Sequence, residues 1–196
     1  LRREELSELH YITHMDNVQS ILRRGILSNK KARGIIHTSI AMQKVQERRA
    51  EVLVPRGRKL HEYANLYICA RNPMLFKLKD QHLDLCVLRI RTEVLDLPGV
   101  VVTDRNASSR YVRWAAAPAG LSIVDRALTF ADDWTDPDLI QHWRKKSAKC
   151  AEVLVPDRVE PKFITGAYVS CQEAMKRFNA LGTGVAVTID GHMFFR

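Results

Sequence analysis

Apolar residues along this chain first recur at helical spacing and then, past Gly57, at the spacing of strands. Residues 10–13 read as a short strand. Asp16 follows as an N-cap with Gln19 three positions on, and Val18, Ile21 and Leu22 give the ensuing helix an apolar face. Gly25 suits the position just past its end. Residues 28–37 are basic and carry Asn29 and Gly34, so a loop is expected. Ser39 is placed to cap a second helix reaching about Arg49, and Pro55 with Gly57 breaks the chain. Strands are then expected at 66–70, 83–90, 100–103, 152–155 and 163–169. Residues 104–147 carry all three tryptophans and predict short helices. Ser170 with Glu173 reads as a second capping box, opening a helix that Gly182 stops. Asp190-Gly191 between 185–189 and 193–195 is a two-residue hairpin signal. This order predicts an α+β fold with a mixed or antiparallel core, in a single domain over 1–196.

One sequence occurs twice: Ala-Glu-Val-Leu-Val-Pro stands at 50–55 and again at 151–156. Each copy puts one carboxylate at the head of a β-branched run closed by proline. A carboxylate in a buried strand must be paired or must do chemistry. Composition cannot distinguish Glu51 from Glu152.

Charge narrows the partner. There are 31 Lys and Arg against 22 Asp and Glu, a net +9, with clusters at Arg23-Arg24, Lys30-Lys31, Arg48-Arg49, Arg56-Arg58 and Arg144-Lys145-Lys146. That suits a polyanionic partner, most simply nucleic acid, although a solvated basic surface accounts for the charge equally well. Cys69, Cys86, Cys150 and Cys171 form no C-x-x-C pair and have no zinc spacing, so reduced thiols and a cytoplasmic protein are expected. No apolar run is long enough to span a bilayer, and no signal-peptide pattern opens the sequence. The start at Leu1-Arg2-Arg3, without methionine, suggests a domain excised from a longer chain.

Four segments could carry chemistry. In His10-Tyr11-Ile12-Thr13-His14, alternation sets His10, Ile12 and His14 on one face and Tyr11 and Thr13 on the other. Such groups can bind a ribose or a base edge, or simply edge a strand. Arg48 and Arg49 close a helix, where arginine complements the dipole or grips a phosphate. Tyr67 to Leu75 delivers Arg71 and Asn72 at a proline-fixed turn. Thr103-Asp104-Arg105, followed by Arg110-Tyr111-Val112-Arg113-Trp114, interleaves bases with aromatics, as in nucleic-acid contacts, although an internal Asp–Arg pair explains the first part equally well. No Rossmann or P-loop glycine pattern and no nucleophile elbow is present. Asp132-Asp133 and Asp136 lack metal-site spacing.

In order along the chain, these blocks resemble the DarT family of DNA ADP-ribosyltransferase toxins. The matching blocks are His10-x-x-Thr13-His14-x-Asp16-Asn17 with Ile21-Leu22 and Gly25, Ser39-Ile40-Ala41 with Gln46-Glu47-Arg48-Arg49, and Leu60-His61-Glu62-Tyr63 with Tyr67. Arg71-x-Pro73-Met74-Leu75, Thr103-Asp104-Arg105 and Ala151-Glu152-Val153-Leu154-Val155 complete them. Together they cover roughly residues 9–156. The resemblance separates the two glutamates: Glu152 falls at the family's catalytic glutamate, and Glu51 just after its catalytic arginine, here Arg49. Two departures matter. The family reads His-Ile-Thr-His or His-Phe-Thr-His, so Tyr11 takes the histidine's place when counted back from Thr13, which leaves the ribose-binding role open between His10 and Tyr11. The loop before Thr103-Asp104-Arg105 is also shorter than usual.

The resemblance implies an ADP-ribosyltransferase fold with split small sheets around a central NAD cleft and helical insertions. It implies mono-ADP-ribosylation of a base in single-stranded DNA with NAD as co-substrate and no metal, thymine ahead of guanine. Glu152 and Arg49 would be catalytic. His10, Tyr11, Thr13, Asn17 and Tyr67 would hold NAD, and Arg71, Met74, Tyr111 and Arg113 would face DNA. A DarG-like macrodomain antitoxin would be the partner of a monomeric toxin. The alternatives are a same-fold transferase or NAD glycohydrolase acting on RNA, protein or water, and a basic nucleic-acid-binding module without catalysis. The last gives no reason for a glutamate at a strand start.

Overall fold

The computed structural model describes residues 1–196. In chain order its elements are β1 (Leu9–His14), α1 (Val18–Arg24), β2 (Ile26–Leu27), α2 (Asn29–Ala32), α3 (Gln43–Ala50), β3 (Tyr63–Tyr67), α4 (Pro73–Lys77) and β4 (Leu85–Ile90). β5 (Val101–Thr103), β6 (Trp114–Ala116), α5 (Arg126–Phe130), α6 (Leu139–Ala148) and β7 (Glu152–Pro156) follow. β8 (Arg158–Val159), β9 (Ile164–Val169), α7 (Gln172–Ala180) and β10 (Val187–Ile189) complete the chain.

Eight strands form one sheet in the order β10-β9-β4-β1-β3-β7-β5-β6. All neighbours are antiparallel except the parallel pair β9 and β10. The α+β expectation holds. The split takes the form of two four-stranded halves that join through a single registered pair, His10 opposite Tyr67. β2 and β8 make a separate two-stranded ribbon.

The two faces of the sheet are unequal. One carries a cluster of 27 buried residues, including Leu66, Leu88, Val153 and Val155, covered by Val18 and Ile21 of α1 and by Ala174 and Phe178 of α7. The other carries two smaller clusters, of seven and five residues, around Ile12, Tyr67 and Leu75 and around Val54, Leu60 and Leu154. Most of the apolar burial that stabilises the molecule therefore lies on one side, which leaves the other free to be shaped by polar groups.

Several local expectations are corrected. The signal at Asp190-Gly191 is a turn, with Asp190 Oδ1 accepting from the Met193 amide at 2.9 Å. It closes no hairpin, because residues 191–195 coil in turns, the Phe194 and Arg196 amides both donating to the Gly191 carbonyl; β10 pairs instead with β9, in parallel, across the helix-length crossover of α7. Ser39 caps no helix: α3 begins after Met42, and the Ser39 hydroxyl accepts from the Ala41 amide. Neither Asp16 nor Ser170 serves as an N-cap. α1 follows Asn17 and α7 follows Cys171, neither with a side-chain cap. The Asp16 amide instead donates to His14 Nδ1 at 3.2 Å, and the Ser170 hydroxyl bonds His82. The basic stretch after β2 holds the short helix α2, capped by Ser28. The strand expected at 66–70 lies earlier, at β3. Gly25 does end α1, at φ +86, where a Cβ would collide with the Val159 carbonyl.

Candidate active site

Strand register builds the site. His10 pairs with Tyr67, Tyr67 with Glu152, and Glu152 with Thr103. Directly opposite residues share a face, so these four side chains form one row across β1, β3, β7 and β5. The row lies at one end of the strands, since Glu152 begins β7 while Tyr67 and Thr103 end β3 and β5.

Glu152 is 0% exposed and Arg49 is 6% exposed. The Arg49 guanidinium donates through both terminal nitrogens to the two carboxylate oxygens of Glu152, each at 3.0 Å, a bidentate geometry among the strongest available to charged side chains. Arg49 reaches it from the last turn of α3, whose neighbour Arg48 is exposed, as the roughly 100° step between adjacent helical residues requires. Burial lowers the Arg49 pKa, and the adjacent Glu152 carboxylate more than offsets this, holding the guanidinium above its ordinary value. The Ala107 amide adds a donor to Glu152 Oε1 at 3.4 Å. The Glu152 amide donates to the Thr103 hydroxyl at 3.2 Å, and that hydroxyl donates to the Arg105 carbonyl at 2.7 Å. The strand end and the following loop are thereby tied together.

Tyr67 adjoins the pair. Desolvation, with the nearby Glu152 charge, raises its pKa well above the ordinary tyrosine value, so its hydroxyl stays protonated and donates to Met74 Sδ at 3.0 Å. Met74 is placed by local sequence: Asn72 caps α4, accepting from the Met74 and Leu75 amides at 2.9 and 3.1 Å, with Pro73 in the first turn.

The remaining predicted residues divide. His10 stands on the row. Tyr11 packs toward the larger core on the reverse face, where desolvation pushes its pKa up to about 12. The structure thus brings His10, and not Tyr11, alongside Tyr67. Thr13 shares the Tyr11 face by alternation. Its hydroxyl accepts from Asn17 Nδ2 at 3.2 Å, while Asn17 also donates to the Thr38 carbonyl and accepts from the Thr38 amide. Asn17 thus fastens the 35–42 segment to the end of β1. Arg71 donates to the Asp132 and His192 carbonyls and lies over the Phe195 ring. Arg113 donates to the buried carboxylate of Asp104 at 2.9 Å and to the Ile123 carbonyl. Both arginines tie loops together. Burial pushes the Asp104 pKa up, but hydrogen bonds from Arg105 and Arg113 outweigh it and hold the carboxyl below its ordinary range. Tyr111 is 72% exposed, and no helix joins it to Trp114, which lies in β6. A core role for Tyr111 is excluded.

Sequence reasoning did not single out Ala107 or the fully buried Lys149. The Lys149 ammonium donates to the Ala131 carbonyl at 2.6 Å and contacts Cys69 Sγ at 3.5 Å. A lysine directly before an apolar strand carries no signal of burial. The four cysteines are free thiols. No helix is long and apolar enough to cross a membrane.

A family model described as ssDNA thymidine ADP-ribosyltransferase, DarT, matches residues 10–195. A DNA ADP-ribosyl transferase–DNA ADP-ribosyl glycohydrolase fusion protein from Thermosipho africanus is 34% identical over 178 residues, which cover 85% of this chain and 43% of that protein. Two solved structures superpose closely. Thermosipho africanus DarTG in complex with ADP-ribose has a TM-score of 0.82 at 30% identity, over 96% of this chain and 51% of that one. Thermus sp. 2.9 DarT in complex with ADP-ribosylated ssDNA has a TM-score of 0.80 at 26% identity, over 99% of each chain. The chain thus spans about half the length of the Thermosipho relative, and nearly all of the Thermus one. With the family model covering all but a few terminal residues, the chain belongs to the DarT family.

Proposed function

We propose that this chain transfers ADP-ribose from NAD to a base in single-stranded DNA, thymine ahead of guanine, and acts as the toxin of a toxin–antitoxin pair. The observation that carries this reading is the buried, bidentate Arg49–Glu152 pair in line with Tyr67 and His10, in a chain of this family. Bound NAD supplies an electrophilic ribose carbon whose bond to nicotinamide breaks with the electron pair leaving on nicotinamide. Glu152 is the carboxylate to stabilise the positive charge that develops there, and it can take the proton lost by the attacking base nitrogen. Its backbone is fixed on a central strand and its oxygens are held by Arg49 and the Ala107 amide, so little reorganisation is needed at the moment of reaction. Arg49 supplies the counter-charge and two hydrogen bonds to Glu152 in a buried setting and is placed to engage NAD phosphate or the target base.

His10 and Tyr67 on the row, with Thr13 and Asn17 at the far end of β1, are the residues assigned to NAD. Unpartnered buried nitrogen at His10 Nδ1 and the protonated Tyr67 hydroxyl fit a polar nucleotide. Tyr111, four residues beyond the Ala107 contact to Glu152 and with Arg110 over its ring at 5.9 Å, leads the DNA-facing set. Met74, Arg71 and Arg113 complete the set, with side chains already partly committed. A single-stranded target avoids the unstacking cost of a paired base. A macrodomain antitoxin that removes the modification is the proposed partner, in keeping with the glycohydrolase fused to the Thermosipho relative.

The test is labelled NAD offered with single-stranded DNA, duplex DNA, RNA or protein. Label on single-stranded DNA alone is the expected result. Label on RNA or protein, or free ADP-ribose only, would replace this reading with that of another acceptor.

A further inference from the structure

We infer that Glu8 is a positioning residue for this reaction: it fixes the tautomer of His10 so that Nδ1 stands as a hydrogen-bond acceptor for an N–H or O–H group of a bound nucleotide. This rests on the function proposed above. Glu8 lies one residue before β1, its side chain largely buried. Its Oε1 is 3.3 Å from His10 Nε2 and accepts from the Tyr168 hydroxyl at 2.8 Å, while Oε2 accepts from Arg89 Nε at 2.7 Å. Arg89 in turn lies over the Tyr168 ring at 4.8 Å. Burial pushes the Glu8 pKa up, but the hydrogen bonds from His10, Arg89 and Tyr168 outweigh it and hold the carboxyl at about 2.

An ionised carboxylate only accepts, so the proton shared with Glu8 must sit on His10 Nε2. In the neutral ring Nδ1 then carries the lone pair. His10 is 8% exposed, and its Nδ1 is buried without a hydrogen-bond partner. Such an orphan is uncommon in a folded interior and asks for a partner that the protein itself does not supply. His10 also lines a cavity of about 220 Å³ with Cys69, Arg71, Lys149 and His192. That cavity adjoins the catalytic row, because Cys69 comes two residues after Tyr67 and Lys149 three before Glu152. Sugar hydroxyls and the N–H edges of bases are the nucleotide groups that match a neutral imidazole nitrogen.

Glu8→Gln removes the charge while keeping the shape, and loosens the choice of tautomer. His10→Asn can place an amide oxygen near the position of Nδ1 with no tautomer to choose, whereas His10→Ala places nothing there. Steady-state transfer would be measured with NAD and a single-stranded oligonucleotide each titrated, alongside thermal unfolding. Loss of one such hydrogen bond predicts a roughly 10-fold lower kcat/KM for Glu8→Gln and a comparable or larger loss for His10→Ala. His10→Asn should recover part of the His10→Ala loss, and adding Glu8→Gln to it should cost nothing more. A KM rise confined to the NAD titration places the donor on NAD. One confined to the oligonucleotide places it on the target strand. The inference is overturned if Glu8→Gln leaves both titrations unchanged, if it costs as much in the His10→Asn background, or if His10→Asn is no better than His10→Ala. Wild-type protein that modifies no DNA would overturn the proposed function instead.

Discussion

The same six residues, Ala-Glu-Val-Leu-Val-Pro, fold in two unlike ways in this molecule. At 50–55 they trail off the end of α3. Glu51 is exposed at the helix C-cap, Leu53 is 65% exposed, and only Val54 is fully buried. At 151–156 every residue before the proline is buried, because β3 and β5 flank the strand on both sides. The two copies meet in one small cluster, Val54 from the first packing with Leu154 from the second. Arg49, the residue just before the first copy, holds Glu152 of the second. Local sequence therefore does not decide which glutamate is buried and paired. The number of neighbouring strands decides it, together with a cation delivered from the residue just before the other copy.

The comparison breaks most visibly at the glutamates. Glu152→Gln keeps the volume and the capacity to bond Arg49, and should lower the transfer rate by about 10²-fold or more, whereas Glu51→Gln should leave it unchanged. The glutamine is the sharper substitution, because it keeps one acceptor oxygen for Arg49 and fills the buried space, whereas Glu152→Ala removes both acceptors and opens a cavity. Arg49→Ala should inactivate and also destabilise by about 3–5 kcal/mol, since it leaves a buried carboxylate unpaired. Arg48→Ala, exposed on the same turn, should stay within about 0.5 kcal/mol. Denaturant titration of the two arginine variants checks this, and equal losses would mean that the pair does not hold in solution.

The fourth position of each copy gives a packing version of the same contrast. Leu154→Ala should cost about 2–5 kcal/mol, and Leu53→Ala about 0.5 kcal/mol or less. Similar midpoint shifts for both would argue that the first copy is more buried than it stands here. The smallest stability effect is expected at Tyr111. Its replacement by Ala should leave the melting temperature unchanged while weakening single-stranded DNA binding by about 1–3 kcal/mol, measured by fluorescence anisotropy. A marked drop in melting temperature would remove Tyr111 from the DNA face.

Much of this was legible in the chain. Alternation in His10–His14 correctly separated the faces, which is why His10 and not Tyr11 reaches the row. Apolar runs located β4, β7 and β9 to within a few residues, whereas Asn72-Pro73 read only as a turn and not as the cap and first residue of α4. Pairing was not legible. Asp190-Gly191 specifies a turn but not the partner of the strand before it, and α7 made that partner parallel. The row from His10 to Thr103 depends on long-range register, which no local pattern encodes. The burial of Lys149 was hidden for a similar reason, since its acceptor, the Ala131 carbonyl, comes from a loop 18 residues away. Glu8 carries no local signal either, because Arg89 of β4 and Tyr168 of β9 converge on it from distant parts of the chain.

The most direct test is mass spectrometry of a pool of short single-stranded oligonucleotides incubated with NAD and either wild-type protein, Glu152→Gln or Glu51→Gln. Wild-type and Glu51→Gln proteins should yield the same ADP-ribosylated product on one base type, and Glu152→Gln about 10²-fold less or none. Equal product from Glu152→Gln, or loss of product in Glu51→Gln, would contradict the assignment of catalysis to the second copy.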